Sequence, residues 1–140
     1  MSEESEQHAT VLIVDDIEDN RTVMREFLIQ KHNCRVVEAA DGQAALRLAL
    51  RESPTLILMD IGLPKYGGLA VIADMRKRRR LRDVPIIAVT AYDSPGLRLE
   101  AEIAGVTDYV TKPVHPEEFS TLIARFLQTS SGGKSQSMKG

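Results

Sequence analysis

The chain has 140 residues, 43% of them hydrophobic, and a formal net charge of −2; it is expected to form one domain with a sizeable core and to leave no room for a second folded effector. Its longest apolar runs, such as Val11 to Val14 and Leu56 to Met59, fall far short of the roughly 20 residues that a membrane-spanning helix needs, so no membrane insertion is expected. Nor does the near-neutral total suggest a nucleic-acid partner.

The first residues, 1–8, are polar and aperiodic and read as a flexible tail without the basic start and apolar core of a secretory signal. Together with a single cysteine, Cys34, which has no partner for an intramolecular disulfide, they point to a reducing cytoplasm. The folded domain is expected over 9–128. Within it, short runs rich in β-branched residues mark five strands, at Thr10 to Val14, Arg35 to Val37, Leu56 to Met59, Pro85 to Val89 and Tyr109 to Val110. Five helical segments alternate with them. The first, near Asp19 to Lys31, carries Val23, Met24, Phe27 and Leu28 on one face, and Ala40 to Gly42 punctuates the entry to the second. The third runs near Leu69 to Arg79 and the fourth near Gly96 to Ala104. In the last, Phe119, Leu122, Ile123, Phe126 and Leu127 follow the helical period. From Thr129 the sequence "TSSGGKSQSMKG" is small and polar, so 129–140 reads as a second tail. Its "GGKS" lacks the earlier glycine and the preceding strand of a phosphate loop.

Strict alternation of strand and helix means a parallel sheet with helices on both faces, a doubly wound α/β fold. Ligands of such folds bind at the carboxyl ends of the strands. There the first strand is followed by Asp15 and Asp16, the third by Asp60, the fourth by Thr90 and Ala91, and the fifth by Lys112 and Pro113. Three carboxylates at one edge repel each other, by about 4 kcal/mol per pair at 4 Å with an effective dielectric near 20. A hard divalent cation offsets that, and oxygen ligands without His or Cys suit Mg²⁺ better than Zn²⁺. Lys112 adds a second positive charge and Thr90 a hydroxyl. Such a set fits phosphoryl transfer, in which positioning and charge neutralisation do most of the work and a carboxylate, Asp60, can serve as nucleophile.

"VLIVDD", "LILMDIGLPKYGG", "VTA" and "DYVTKP", in this order and at these separations, closely resemble the receiver domains of bacterial response regulators over about residues 10–128. The resemblance implies a flavodoxin-like fold with five parallel strands in the order 2-1-3-4-5 and five helices. It also implies a phosphoacceptor, Asp60; Mg²⁺ held by Asp15, Asp16, Asp60 and the backbone carbonyl of Gly62; and a phosphoryl group met by Lys112, the Thr90 hydroxyl and the Ala91 backbone N–H. A cis peptide before Pro113 would aim Lys112 into the site, and Thr90 with Tyr109 would form the switch. The implied partners are a sensor histidine kinase or a histidine phosphotransfer protein as donor and a downstream protein target. The domain would act as a stand-alone signalling phosphoacceptor, catalysing only its own phosphorylation and slow dephosphorylation.

Several positions depart from the receiver pattern. Gly67 and Leu63 stand where many receivers have Asp and Met, though neither supplies a ligand side chain. At the two positions that tune phosphoryl lifetime stand Gly62, which offers no side chain to orient water, and Tyr92, which is expected to cover the site. The basic run Arg76 to Arg82, with six cations, reads as a solvated helix end or else as a patch for phosphate or an acidic partner. His8, His32 and His115 read as surface residues. A phosphotransferase of the haloacid dehalogenase type would share the aspartate nucleophile, the Mg²⁺ and the lysine, but needs a second Asp two residues after the first, where Gly62 stands. A phosphorylation-independent docking module would have little use for Asp15, Asp16, Asp60, Thr90 and Lys112 together.

Overall fold

A computed structural model describes residues 9–63, 67–91 and 93–139, with side chains described as far as Leu127. Its strands β1 (Thr10–Val14), β2 (Arg35–Ala39), β3 (Leu56–Asp60), β4 (Ile86–Thr90) and β5 (Asp108–Thr111) form one sheet in the order β2-β1-β3-β4-β5. Every pairing is parallel. Five helices link and follow them: α1 (Glu18–His32), α2 (Gly42–Glu52), α3 (Gly68–Arg76), α4 (Pro95–Ala104) and α5 (Pro116–Lys139).

Side chains alternate across a strand, so a strand covered on both sides must be apolar at every position. On β1, Leu12 and Val14 join a core cluster with Ala45 and Ala49 of α2 and Val71, Ile72 and Met75 of α3. Val11 and Ile13 join the other, with Leu28 of α1 and Phe119 and Ile123 of α5. Each of the larger buried side chains contributes about 1.5–3 kcal/mol relative to exposure. Local signals set the helix ends. The Asp41 carboxylate accepts from Ala44 N–H at 2.8 Å and caps α2. Ser94 accepts from Leu97 N–H at 3.1 Å and caps α4, with Pro95 in the first turn.

Around β2 and His32, long-range contacts explain the differences from the expected elements. β2 extends to Ala39 because Glu38, polar but part of an edge strand, takes ion pairs from Arg21 at 3.0 Å and Arg25 at 2.7 Å of α1. His32 is half-buried rather than a surface residue: its Nε2 lies 3.0 Å from Ser120 Oγ of α5, and its ring packs 5.8 Å from Phe27. Burial and the neighbouring Lys31 hold its pKa below the ordinary value. The residues expected as a C-terminal tail from 129 continue α5 to Lys139, since each further helical residue adds one backbone bond once the helix is nucleated.

The basic run is divided rather than uniformly solvated. α3 stops at Arg76, a 3₁₀ turn follows at Arg79–Leu81, and the Arg76 side chain turns inward. Its guanidinium donates to the carbonyls of Gly105 at 2.9 Å, Leu81 at 2.8 Å, Arg82 at 3.1 Å and Val84 at 2.7 Å, and to Thr107 Oγ1 at 3.3 Å. Gly105 has φ 114°, and a Cβ there would lie 2.8 Å from Arg76 Cγ, so glycine serves both the left-handed turn and the close approach of the arginine. Arg80 likewise donates to the Leu50 carbonyl at 2.5 Å. Arg76→Ala leaves several carbonyls without their donor and is expected to lower unfolding stability by about 2–4 kcal/mol. Arg79→Ala, at an exposed position, is expected to stay within about 0.5 kcal/mol. Urea denaturation distinguishes the two, and equal losses would contradict the anchoring role of Arg76.

Candidate functional site

The strand order turns back between β1 and β3, and a crevice opens beyond their carboxyl ends. Asp15 and Asp16 follow β1, and Asp60 is the last residue of β3. One carboxylate oxygen from each lies within 4.8 Å of the others. Asp15 is only 4% exposed. Its carboxylate accepts from Ile17 N–H at 2.9 Å, from Asn20 Nδ2 at 3.3 Å and from Lys112 Nζ at 3.3 Å. Asp16 is exposed. Asp60 Oδ1 accepts from Gly62 N–H at 2.9 Å, and Oδ2 lies 3.8 Å from Lys112 Nζ.

Lys112 reaches the carboxylates from the far side of the sheet. Its backbone N–H donates to the Thr90 carbonyl at 2.7 Å, extending the β4–β5 ladder by a residue, and the Lys112–Pro113 peptide is cis. Thr90 is 1% exposed, next to Val89, the register partner of Asp60; Ala91 is exposed. Tyr109 lies two residues before Thr111, which pairs with Thr90. Its ring is half-buried under the Arg98 guanidinium, 4.2 Å from the ring centroid. Tyr92 lies outside the described residues, as do residues 64–66 of the motif around Asp60.

Burial pushes the Asp60 carboxyl above its ordinary pKa. The Gly62 N–H and Lys112 draw it down, and the charges of Asp15 and Asp16 raise it again. Among the described residues the set is thus a strained collection of negative charge with the Lys112 ammonium beside it, able to hold a hard cation through oxygen ligands alone.

Three contributors carry no chemical motif of their own. Asn20 steadies Asp15. Arg21 donates to the Asp15 carbonyl at 2.7 Å. Gly68, the first residue of α3, sits so close to the strand end that a Cβ would lie 2.5 Å from Ile61 Cα and 2.6 Å from the Asp60 carbonyl oxygen. Its only trace in the sequence is the pair Gly67-Gly68.

Residues 11–124 match the response regulator receiver domain family. The chain belongs to that family. The polar-differentiation response regulator DivK of Brucella ovis is 36% identical over 118 residues, which cover 84% of this chain and 95% of that protein. The response regulator PleD of Caulobacter vibrioides is 34% identical over 106 residues, 76% of this chain but 23% of PleD. Among solved structures, the receiver domain of the sensor histidine kinase PA1611 from Pseudomonas aeruginosa, crystallised with a magnesium ion coordinated in its active site cleft, superposes with TM-score 0.79 at 35% identity, covering 86% of this chain and 98% of that one. The chain is therefore a receiver domain of two-component signal transduction, with the family's five parallel strands and acidic cluster. Among its described residues no helix is long and apolar enough to cross a membrane.

A raised carboxylate pKa in the folded state means that ionising Asp60 costs the receiver stability. That penalty is absent below the unfolded value, near 3.8, and complete above the higher folded one. In metal-free buffer Asp60→Asn is expected to melt above wild type at neutral pH, with the gap closing as pH falls through the carboxylate range; a variant that melts lower at neutral pH would contradict the charge strain. Gly68→Ala is expected to lose about 1–3 kcal/mol to overpacking. In contrast, Gly96→Ala, with nothing within 4 Å of its would-be Cβ, is expected to hold or gain stability in the same denaturation assay.

Proposed function

We propose that the receiver accepts a phosphoryl group on Asp60 from a phosphohistidine donor, with Mg²⁺, and signals through protein contact. The convergence of Asp15, Asp16, Asp60 and Lys112 on one crevice carries this reading. Asp15, Asp16 and Asp60, with the Gly62 backbone carbonyl, would hold the ion; their all-oxygen donor set fits Mg²⁺, as found in the PA1611 receiver. When bound, the ion supplies positive charge against the oxygens of the transferred group.

The chain's own residues do the rest. An Asp60 oxygen attacks phosphorus, the bond from phosphorus to the donor imidazole breaks, and the carboxylate becomes an acyl phosphate. Lys112, already between Asp15 and Asp60, turns to the incoming oxygens. Thr90 donates its hydroxyl and Ala91 its N–H to the same group, and Tyr109 moves into the space that Thr90 leaves.

The donor has a surface to land on. An apolar groove beside Lys112 is lined by Asn20, Val23, Met24, Pro113, Val114 and Phe119, and Val23 is 71% exposed. Apolar side chains around an acidic centre suit the helix of a histidine kinase or a histidine phosphotransfer protein.

The test is incubation with acetyl phosphate and Mg²⁺ followed by mass spectrometry of the intact protein. Wild type is expected to gain one phosphoryl group, lost on chelation of the metal beforehand and absent in Asp60→Asn. Lys112→Ala is expected to slow the reaction by about 10²-fold. Phosphorylation that persists in Asp60→Asn would overturn the assignment.

A further inference from the structure

Arg98 of α4 lies with its guanidinium 4.2 Å from the centroid of the Tyr109 ring, well inside the roughly 6 Å over which a cation is drawn to an aromatic face. The guanidinium does not rest there by packing alone. Nε and Nη2 both donate to Asp93 Oδ1, at 3.3 and 3.2 Å, and Asp93 directly precedes Ser94, the N-cap of α4. The arginine is thus pinned at one end of its own helix while it covers a residue of β5. Tyr109 pairs with Ala88, two residues before Thr90, so its ring and Thr90 spring from the same face of the sheet.

The geometry points to Arg98 as a positioning residue that holds Tyr109 at the edge of the sheet and thereby sets how readily the site takes up its phosphoryl group. The inference rests on the switch role proposed above for Tyr109. A ring that turns toward Thr90 leaves a guanidinium which two bonds to Asp93 keep in place. The contact with Arg98 is therefore made in one arrangement of Tyr109 and lost in the other. A contact that differs between two states shifts their balance, and by linkage it weakens any ligand that favours the inward state by the same factor. Arg98 and Asp93 have side-chain exposures of 46% and 49%, so the contact has the modest strength of an exposed one, equivalent to about 2–5-fold in that balance.

Beryllium fluoride with Mg²⁺ serves as the probe, with its affinity measured by titration and the Tyr109 ring followed by NMR. Arg98→Ala is expected to bind the mimic about 2–5-fold tighter than wild type, with its free Tyr109 resonances displaced toward their bound positions. Arg98→Lys, which keeps the cation but not the fork to Asp93, is expected to fall between the two, and Asp93→Asn to move in the same direction as Arg98→Ala. Damage to the fold would weaken binding, so the sign separates positioning from structural support. Unchanged or weaker binding in Arg98→Ala, beside a wild type that binds, overturns the inference. A wild type that fails to bind the mimic overturns the phosphoacceptor reading itself and this inference with it.

Discussion

Among the described residues, three carboxylates share the Lys112 ammonium at the edge of this sheet, and the remainder of the molecule is what keeps them there. Left to themselves, Asp15, Asp16 and Asp60 would separate, since each like-charged pair costs about 4 kcal/mol at 4 Å with an effective dielectric near 20. Lys112, 3.3 Å from Asp15 and 3.8 Å from Asp60, offsets part of this. Burial nevertheless leaves Asp60 harder to ionise than an ordinary aspartate. Stability spent on a site in this way is recovered only when positive charge arrives, and that dependence makes the site responsive.

What holds the charges in place is the hydrogen-bond ladder of the sheet, carried one residue past the strands. Asp15 N–H donates to the Ala39 carbonyl at 3.1 Å, Ile61 N–H to the Val89 carbonyl at 3.2 Å and Lys112 N–H to the Thr90 carbonyl at 2.7 Å. Each chemically important segment is thus tied by its backbone to the neighbouring strand before its side chain does anything. Two core layers fix the strands in turn. Close approach by small residues finishes the frame: Ala45 and Ala49, both fully buried, bring α2 onto the sheet, and Gly68 lets α3 start directly against the end of β3.

The legible part of this in the sequence was the part governed by local rules. A strand buried on both faces has to be a continuous apolar run, so β1, β3 and β4 stood out, and the residues at their carboxyl ends named the acidic cluster and Lys112 without any long-range information. The edge strands are longer than their apolar runs because Glu38 and Asp108 break the apolar pattern while still pairing with their neighbours. Arg76 was hidden for a different reason. An arginine that satisfies carbonyls from Leu81 to Gly105 looks, in sequence, like any member of a charged run. His32, with its partner on α5, and Gly68, whose neighbours are backbone atoms, were illegible for the same reason: their meaning lies in contacts that no periodicity encodes.

The proposed switch sits on an edge strand, where the packing is looser than at the centre of the sheet. β1, β3 and β4 are buried almost throughout, while each residue of β5 is only half-buried. Close-packed cores resist small displacements, so a change at Asp60 passes more easily toward the loosely covered edge than into the centre. Thr90 is the last residue of the rigid part, 1% exposed, and Tyr109 belongs to the soft part. A signal crossing from one to the other moves from a segment whose opening would disrupt the core to one that can rearrange at low cost. On the proposed reading, the surface of α4 and β5 is where phosphorylation of Asp60 would become visible to another protein.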